Sequence, residues 1–181
     1  MIRISTLLLA CALAFPCFAE EAATKAAPAS GAPAKNAAAA TSPTISVSEA
    51  VLTAPLMLKD GAISQPEKTE TLGTGRAVIA FRVAEAGNYV IHAIVNAPDE
   101  DSNSFFLNID ASPEDPLMIW DMDVTNGFEE RVVSWRGNGD ANVDEFSPKI
   151  FKLTAGEHKL IIVGREPASL KSVSIRRFVA K

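Results

Sequence analysis

The chain has little from which covalent or catalytic chemistry is built. Of its 181 residues two are cysteine, two histidine, two tryptophan and one tyrosine. Two cysteines are too few for a disulfide-framework protein. Both, Cys11 and Cys17, sit in the first nineteen residues. Basic residues are also scarce, with 17 Lys and Arg against 22 Asp and Glu, a net charge of −5. That balance argues against a nucleic-acid partner, which calls for a basic excess. Uninterrupted apolar runs are missing too. None approaches the roughly twenty residues needed to span a bilayer, so no membrane span is expected.

What is present divides into three parts. Met1–Ala19 reads as a secretory signal peptide. Arg3 supplies the charge, Leu7–Phe15 the short apolar core, and Cys17-Phe18-Ala19 the small residues at −3 and −1 before a cleavage site. Leu8-Leu9-Ala10-Cys11 faintly resembles a lipobox, but cleavage there would leave too short an apolar core. Cleavage after Ala19 places the mature protein in the periplasm or outside the cell, without cysteine. Glu20–Thr44 reads as a disordered tether, with eleven alanines among 25 residues and prolines at 28, 33 and 43. It has no large side chains whose burial would offset the entropy of ordering it.

Ile45–Lys181 carries the folding information. Its apolar residues recur with period two, the mark of strands. Val78–Val83 and Asn88–Val95 flank a turn, and Ser104–Asp110 follows. Leu117–Val124 and Glu129–Arg136 flank Asn126-Gly127, the strongest short hairpin signal available. Lys149–Leu153, His158–Gly164 and Val173–Val179 supply closing strands, with Ile45–Val51 and Leu56–Leu58 opening the domain and Gly137-Asn138-Gly139-Asp140 marking a loop. About ten short strands and no 3.6-residue stripe predict an all-β single domain, a β-sandwich or jelly roll. Charge is segregated along it. Residues 99–145 hold thirteen acids and two arginines, and residues 149–181 hold eight bases and two acids. These segments are expected to meet in space, so that much of the asymmetry cancels.

An ordered set of landmarks then carries a resemblance. It runs from Ser48-Glu49-Ala50 through Ala86–Val90, Ser102–Phe106, Ile109-Asp110, Trp120, Trp135 and Phe151–Leu160 to Gly164-Arg165-Glu166-Pro167. The set resembles the galactose-binding-like β-sandwich modules, in particular family 6 and family 35 carbohydrate-binding modules and their relatives in secreted bacterial proteins. The resemblance implies non-catalytic glycan binding, with an aromatic ring on the apolar face of a pyranose and polar side chains on its hydroxyls. Trp120 and Trp135 are the aromatic candidates, and Asn103, Asp121 and Arg136 the polar ones. Core packing of either tryptophan, and a loop-fixing role for Asn103, are the competing readings.

Two departures from the resembled pattern matter. Such modules often hold a structural calcium through a Glu-Ala-Glu start and an acid near the last strand. Here the start is Glu49-Ala50-Val51 and the closing segment has Lys171, so that metal site is expected to be absent. The family often places an Asn in the closing loop, whereas Pro167-Ala168-Ser169-Leu170 has none. A sandwich that has lost sugar binding and serves a structural or protein-interaction role is therefore the alternative.

An enzyme is not expected, and neither is a cofactor. No HExxH, Gly-x-Ser-x-Gly or phosphate-binding glycine loop occurs. His92 and His158 read as hydrogen-bonded structural residues, His92 buried on the face of Val90 and Ile94. Asp121 and Asp123 share one strand face, whereas a glycosidase needs two facing carboxylates, so a hydrolase is the third and weakest reading.

Overall fold

The computed structural model describes residues 44–69, 71–136 and 147–180. The signal-peptide and tether readings, apart from Thr44, lie outside the described residues, as does the Gly137–Asp140 loop. Among the described residues twelve strands build two antiparallel sheets: β1 (Thr44–Ser46), β2 (Val51–Thr53), β3 (Met57–Lys59), β4 (Ala62–Ser64), β5 (Arg76–Val83), β6 (Gly87–Asn96), β7 (Ser104–Ile109), β8 (Ile119–Asp121), β9 (Glu129–Val132), β10 (Phe151–Leu153), β11 (Gly156–Gly164) and β12 (Ser169–Arg177). One sheet runs β10-β6-β12-β4-β3, with β1 also on β12 and β9 also on β6. The other runs β2-β5-β11-β7-β8. The expected β-sandwich is the observed fold.

Alternation builds the core. In β5, Ala77, Ile79, Phe81 and Val83 point inward while Ala80 and Arg82 point to solvent. In β6, Tyr89, Ile91, Ala93 and Val95 fill the space between the sheets. His92 occupies the opposite face, half-buried rather than buried, where Nδ1 meets Glu130 Oε1 at 3.1 Å. The almost wholly buried β7, in which Asn108 is half-buried, has a different cause. Phe105 and Leu107 face the main core, while Phe106 packs outward with Ile119 and Val163 beneath Leu72 of the β4–β5 connection.

Three expectations need correction. Asn126-Gly127 does not close a hairpin. β8 pairs with β7 in one sheet and β9 with β6 in the other, so the turn carries the chain across the sandwich. Gly127 supplies the positive φ of 83°, and Thr125 anchors the crossing. Its N–H donates to the Ala97 carbonyl at 2.8 Å, and its hydroxyl accepts from the Ala97 N–H at 2.8 Å.

The opening stretch is not one strand. Ser46 Oγ accepts from Ser48 N–H, and a turn of 3-10 helix over Val47–Glu49 separates β1 from β2, placing them in different sheets. The real two-residue hairpin is β3–β4, closed by Asp60 and Gly61 at φ 52° and 76°, the pair of positive angles a type I′ turn needs.

The expected meeting of segregated charges occurs in part. Arg176 makes two bonds to Glu130, at 3.0 and 2.5 Å. Some other pairs are local, such as Arg131 with Glu129 and Arg165 with Glu166, while Arg82–Glu157 and Arg177–Glu85 join segments far apart in sequence.

Candidate functional site

One end of the sandwich gathers the β4–β5, β6–β7 and β11–β12 connections beside the end of β8 and the segment after β9. They enclose a cleft of about 480 Å³ lined by Lys68, Glu100, Asn103, Asp121, Met122, Asp123, Arg136, Arg165 and Glu166. Asn103, Asp121 and Arg136, the three polar candidates, all reach it; neither tryptophan does.

Trp120 is 0% exposed and is part of the core. It sits across from Phe105 on β7, the ring centroids 6.3 Å apart, and faces the sandwich interior. Its Nε1–H donates to the Val132 carbonyl at 3.1 Å, joining β8 of one sheet to β9 of the other. No face is left for a sugar, so the structure corrects its candidacy as a platform. Trp135 is half-buried. Its Nε1–H donates to the Leu107 carbonyl at 2.9 Å, Phe151 meets it edge-on at 5.8 Å, and Lys149 Nζ lies 4.0 Å over the ring. Burial pushes the Lys149 ammonium below its ordinary pKa. Trp135 is thus tied down on one edge and covered by a cation.

The floor of the cleft is a buried ionic cluster centred on Glu166, whose side chain is 2% exposed. Oε2 accepts from the Ser104 hydroxyl at 2.6 Å and the Asn103 N–H at 3.1 Å. Oε1 accepts from Arg165 at 2.6 Å, and Lys68 stands 3.3 Å away. Arg165 also donates to Ser104 Oγ at 2.6 Å. Burial alone would raise the Glu166 pKa. The Ser104 hydroxyl, the Asn103 N–H and the two cations outweigh it and hold the carboxyl below its usual range. Lys68 is raised by its bonds to Asp101 and Glu166.

The wall is set by β8. Asp121 receives both Nε and NH2 of Arg136, at 2.8 and 2.9 Å, a bidentate pair that fixes the guanidinium plane. Asn103 donates from Nδ2 to the Met122 carbonyl at 3.0 Å, while Met122 N–H returns to Asn103 O at 2.9 Å. Asn103 therefore fixes the loop, as the competing reading held, at the edge of the cleft. Sequence reasoning missed Lys68, Glu100, Arg165 and Glu166 as site residues. The one available signal was Arg165-Glu166 one glycine after the apolar run Leu160–Val163, where charge in a tight connection has to be paired.

The calcium site of the resembled modules does not fit these residues. Val51 is 72% exposed and offers no oxygen, Glu49 is exposed on the 3-10 turn, and Lys171 Nζ sits 5.5 Å from the Phe128 ring centroid. Among the described residues no three His, Cys, Asp or Glu side chains are grouped to hold a metal.

Away from the cleft, His158 is buried beside Phe81, their ring centroids 5.6 Å apart. Its Nδ1 meets Asp110 Oδ2 at 2.6 Å and its Nε2 the Thr154 carbonyl at 2.9 Å. Both partners are suited to accept, an arrangement that favours the doubly protonated ring. Burial works against that charge; the bonds to Asp110 and Thr154 prevail and raise the pKa above its usual value.

With this geometry in place, known structures identify the fold. The chain superposes on a family 35 carbohydrate-binding module from Clostridium thermocellum with a TM-score of 0.55 and 8% identity, covering 77% of this chain and 100% of the module. A family 35 module from Paenibacillus barcinonensis matches with a TM-score of 0.51 and 10% identity, over 77% of this chain and 99% of that one. The Podospora anserina GH26-CBM35 β-(1,4)-mannanase matches with a TM-score of 0.53 and 11% identity, over 76% of this chain but 28% of that enzyme. No protein-family model matches the sequence, and no curated protein matches it. The fold is the β-sandwich seen in these family 35 carbohydrate-binding modules. Among the described residues no helix is long and apolar enough to cross a membrane.

Proposed function

We propose that the protein is an exported, non-catalytic carbohydrate-binding module whose ligand, a polysaccharide or glycoconjugate, lies in the loop-end cleft. The carrying observation is the convergence of Asn103, Asp121 and Arg136 on one charged concavity at the end of a sandwich of this fold. A bidentate Asp121–Arg136 pair presents fixed donors and acceptors, the arrangement that reads vicinal hydroxyls. Trp135 contributes from outside the cleft or not at all. Residues 1–19 act as the export signal and 20–44 as a tether.

Four carboxylates line the cleft, which is what a hydrolase would need. The partners of two of them speak against one. A glycosidase acid must hold its proton near neutral pH, whereas Glu166 is held ionised by its partners and Asp121 is bound to Arg136. A glycan array, with hydrolysis of bound glycans followed in parallel, tests the reading. Binding weakened by Asp121→Ala and by Arg136→Ala, without product release, is expected. No binding by a folded protein, or turnover, would overturn it.

One observation favours the second reading, a sandwich serving a structural or protein-interaction role: among the described residues no aromatic side chain lines the cleft. Under that reading the array is silent and a protein partner co-purifies.

A further inference from the structure

The cleft's charges are not equivalent, and their pairing selects the ligand. Arg136 is held by Asp121, Arg165 by Glu166, and Lys68 by Glu166 and Asp101. The three cations that line the cleft are therefore engaged by three carboxylates. Two further carboxylates line the same cleft, Glu100 and Asp123, both exposed. Among the described residues neither side chain has a hydrogen bond or an ion pair. An anionic sugar entering this space meets unneutralised negative charge and finds each cation already engaged. Recruiting Arg165 or Lys68 would strip a partner from Glu166, which is buried and pays heavily for being left unpaired, and recruiting Arg136 would strip Asp121 of its bidentate partner. A neutral sugar meets hydroxyl donors and acceptors but gains nothing from the two unpaired carboxylates beyond a hydrogen bond. A sugar bearing an ammonium group meets the same acceptors together with two carboxylates of opposite charge.

We propose that the cleft selects amino sugars, glycans carrying a protonated 2-amino group, with Glu100 and Asp123 as the ammonium contacts. This rests on the carbohydrate-binding reading above and names the substrate class of that site. The cleft volume of about 480 Å³ suits a small number of sugar rings. The pairing also explains why cations are present in an anion-rejecting site. Arg136 and Arg165 hold Asp121 and Glu166 in place and leave Glu100 and Asp123 to the ligand.

The test uses the full chain on surfaces that display glucosamine, galactosamine and mannosamine, each beside its N-acetylated and its uronic acid counterpart. It is run at pH 5.5 in low and in high salt. At least one amino sugar is expected to bind about tenfold more tightly than its N-acetylated form, the size expected for two partly exposed charge contacts. Uronic acids should bind weakest, and the preference should shrink in high salt. Glu100→Gln and Asp123→Asn should each lower amino-sugar affinity about threefold without moving N-acetyl affinity. Glu157→Gln, on an exposed acid at the opposite end of β11, should change neither. Equal binding of amino and N-acetylated forms, preference for a uronic acid, or insensitivity to both cleft variants would overturn the proposal while leaving glycan binding intact. Failure of the folded protein to bind any sugar of any class would instead overturn the carbohydrate-binding reading with it.

Discussion

Trp120 separates a core role from a ligand role. Trp120→Phe keeps a ring against Phe105 but removes the indole N–H, leaving the Val132 carbonyl without its donor. Losing one bond between the sheets in a dry interior costs about 1–2 kcal/mol. Trp120→Ala removes the whole buried side chain and opens a cavity between the sheets, costing about 3–5 kcal/mol. At about 4 °C per kcal/mol for a domain of this size, Tm should fall about 4–8 °C for Phe and about 12–20 °C for Ala. Scanning calorimetry gives these shifts, and binding measured well below each transition should match the parent. A Trp120→Phe protein with unchanged Tm and lost glycan binding would refute the reasoning, because only an exposed platform behaves that way.

Three further outcomes follow from the same geometry. His158→Asn should cost about 1 kcal/mol near pH 5.5, and less as the pH rises. The folded pKa of His158 is raised, so its contribution is complete below the unfolded value near 6.5 and is lost above it as the pH passes the folded pKa. The folded pKa of Asp110 is lowered, so its contribution is complete above the unfolded value near 3.8 and is lost on acidification. Urea unfolding across pH 4–8 checks this, and a penalty that grows with pH would contradict it. Glu166→Gln should cost about 1–3 kcal/mol at pH 7 by leaving Arg165 and Lys68 without their acid, and should flatten the loss of stability below pH 4.5; an unchanged acid profile would count against the cluster. Gly164→Ala would place a methyl group 1.9 Å from Gln65 Oε1, and Gln65 is itself buried, so calorimetry should show a loss of about 1–3 kcal/mol. An unaltered Tm would mean the floor beneath the cleft is looser than described.

The sandwich was legible because β5, β6 and β11 alternate over eight to ten residues, long enough for period two to stand out. Where the expectation failed, the deciding interaction was not local. Asn126-Gly127 favours a turn in any setting, and whether its flanking strands pair is decided by β7 and β6, which hold β8 and β9 in different sheets. Asp60-Gly61 carries the same turn chemistry but joins strands of three residues, one of them wholly exposed, too short to show a pattern. The site divided in the same way. Asn103, Asp121 and Arg136 were found through the family resemblance. Lys68 and Glu100 come from connections whose composition reads as ordinary solvated surface, and only the fold brings them to the cleft. Trp120 was misplaced as a platform because β8 keeps only three residues in its sheet, so register, and hence which way the ring points, is set by its pairing with Phe105.

The central claim is that the loop-end cleft is where a glycan binds. The most direct measurement is an NMR titration of the full chain with the sugar that binds it most strongly on the displayed surfaces. The account predicts amide shifts concentrated at Asn103, Asp121, Asp123, Arg136 and Arg165, with His158 and Trp135 unmoved. Shifts centred on Trp135 and Lys149, or no saturable shift anywhere, would contradict it.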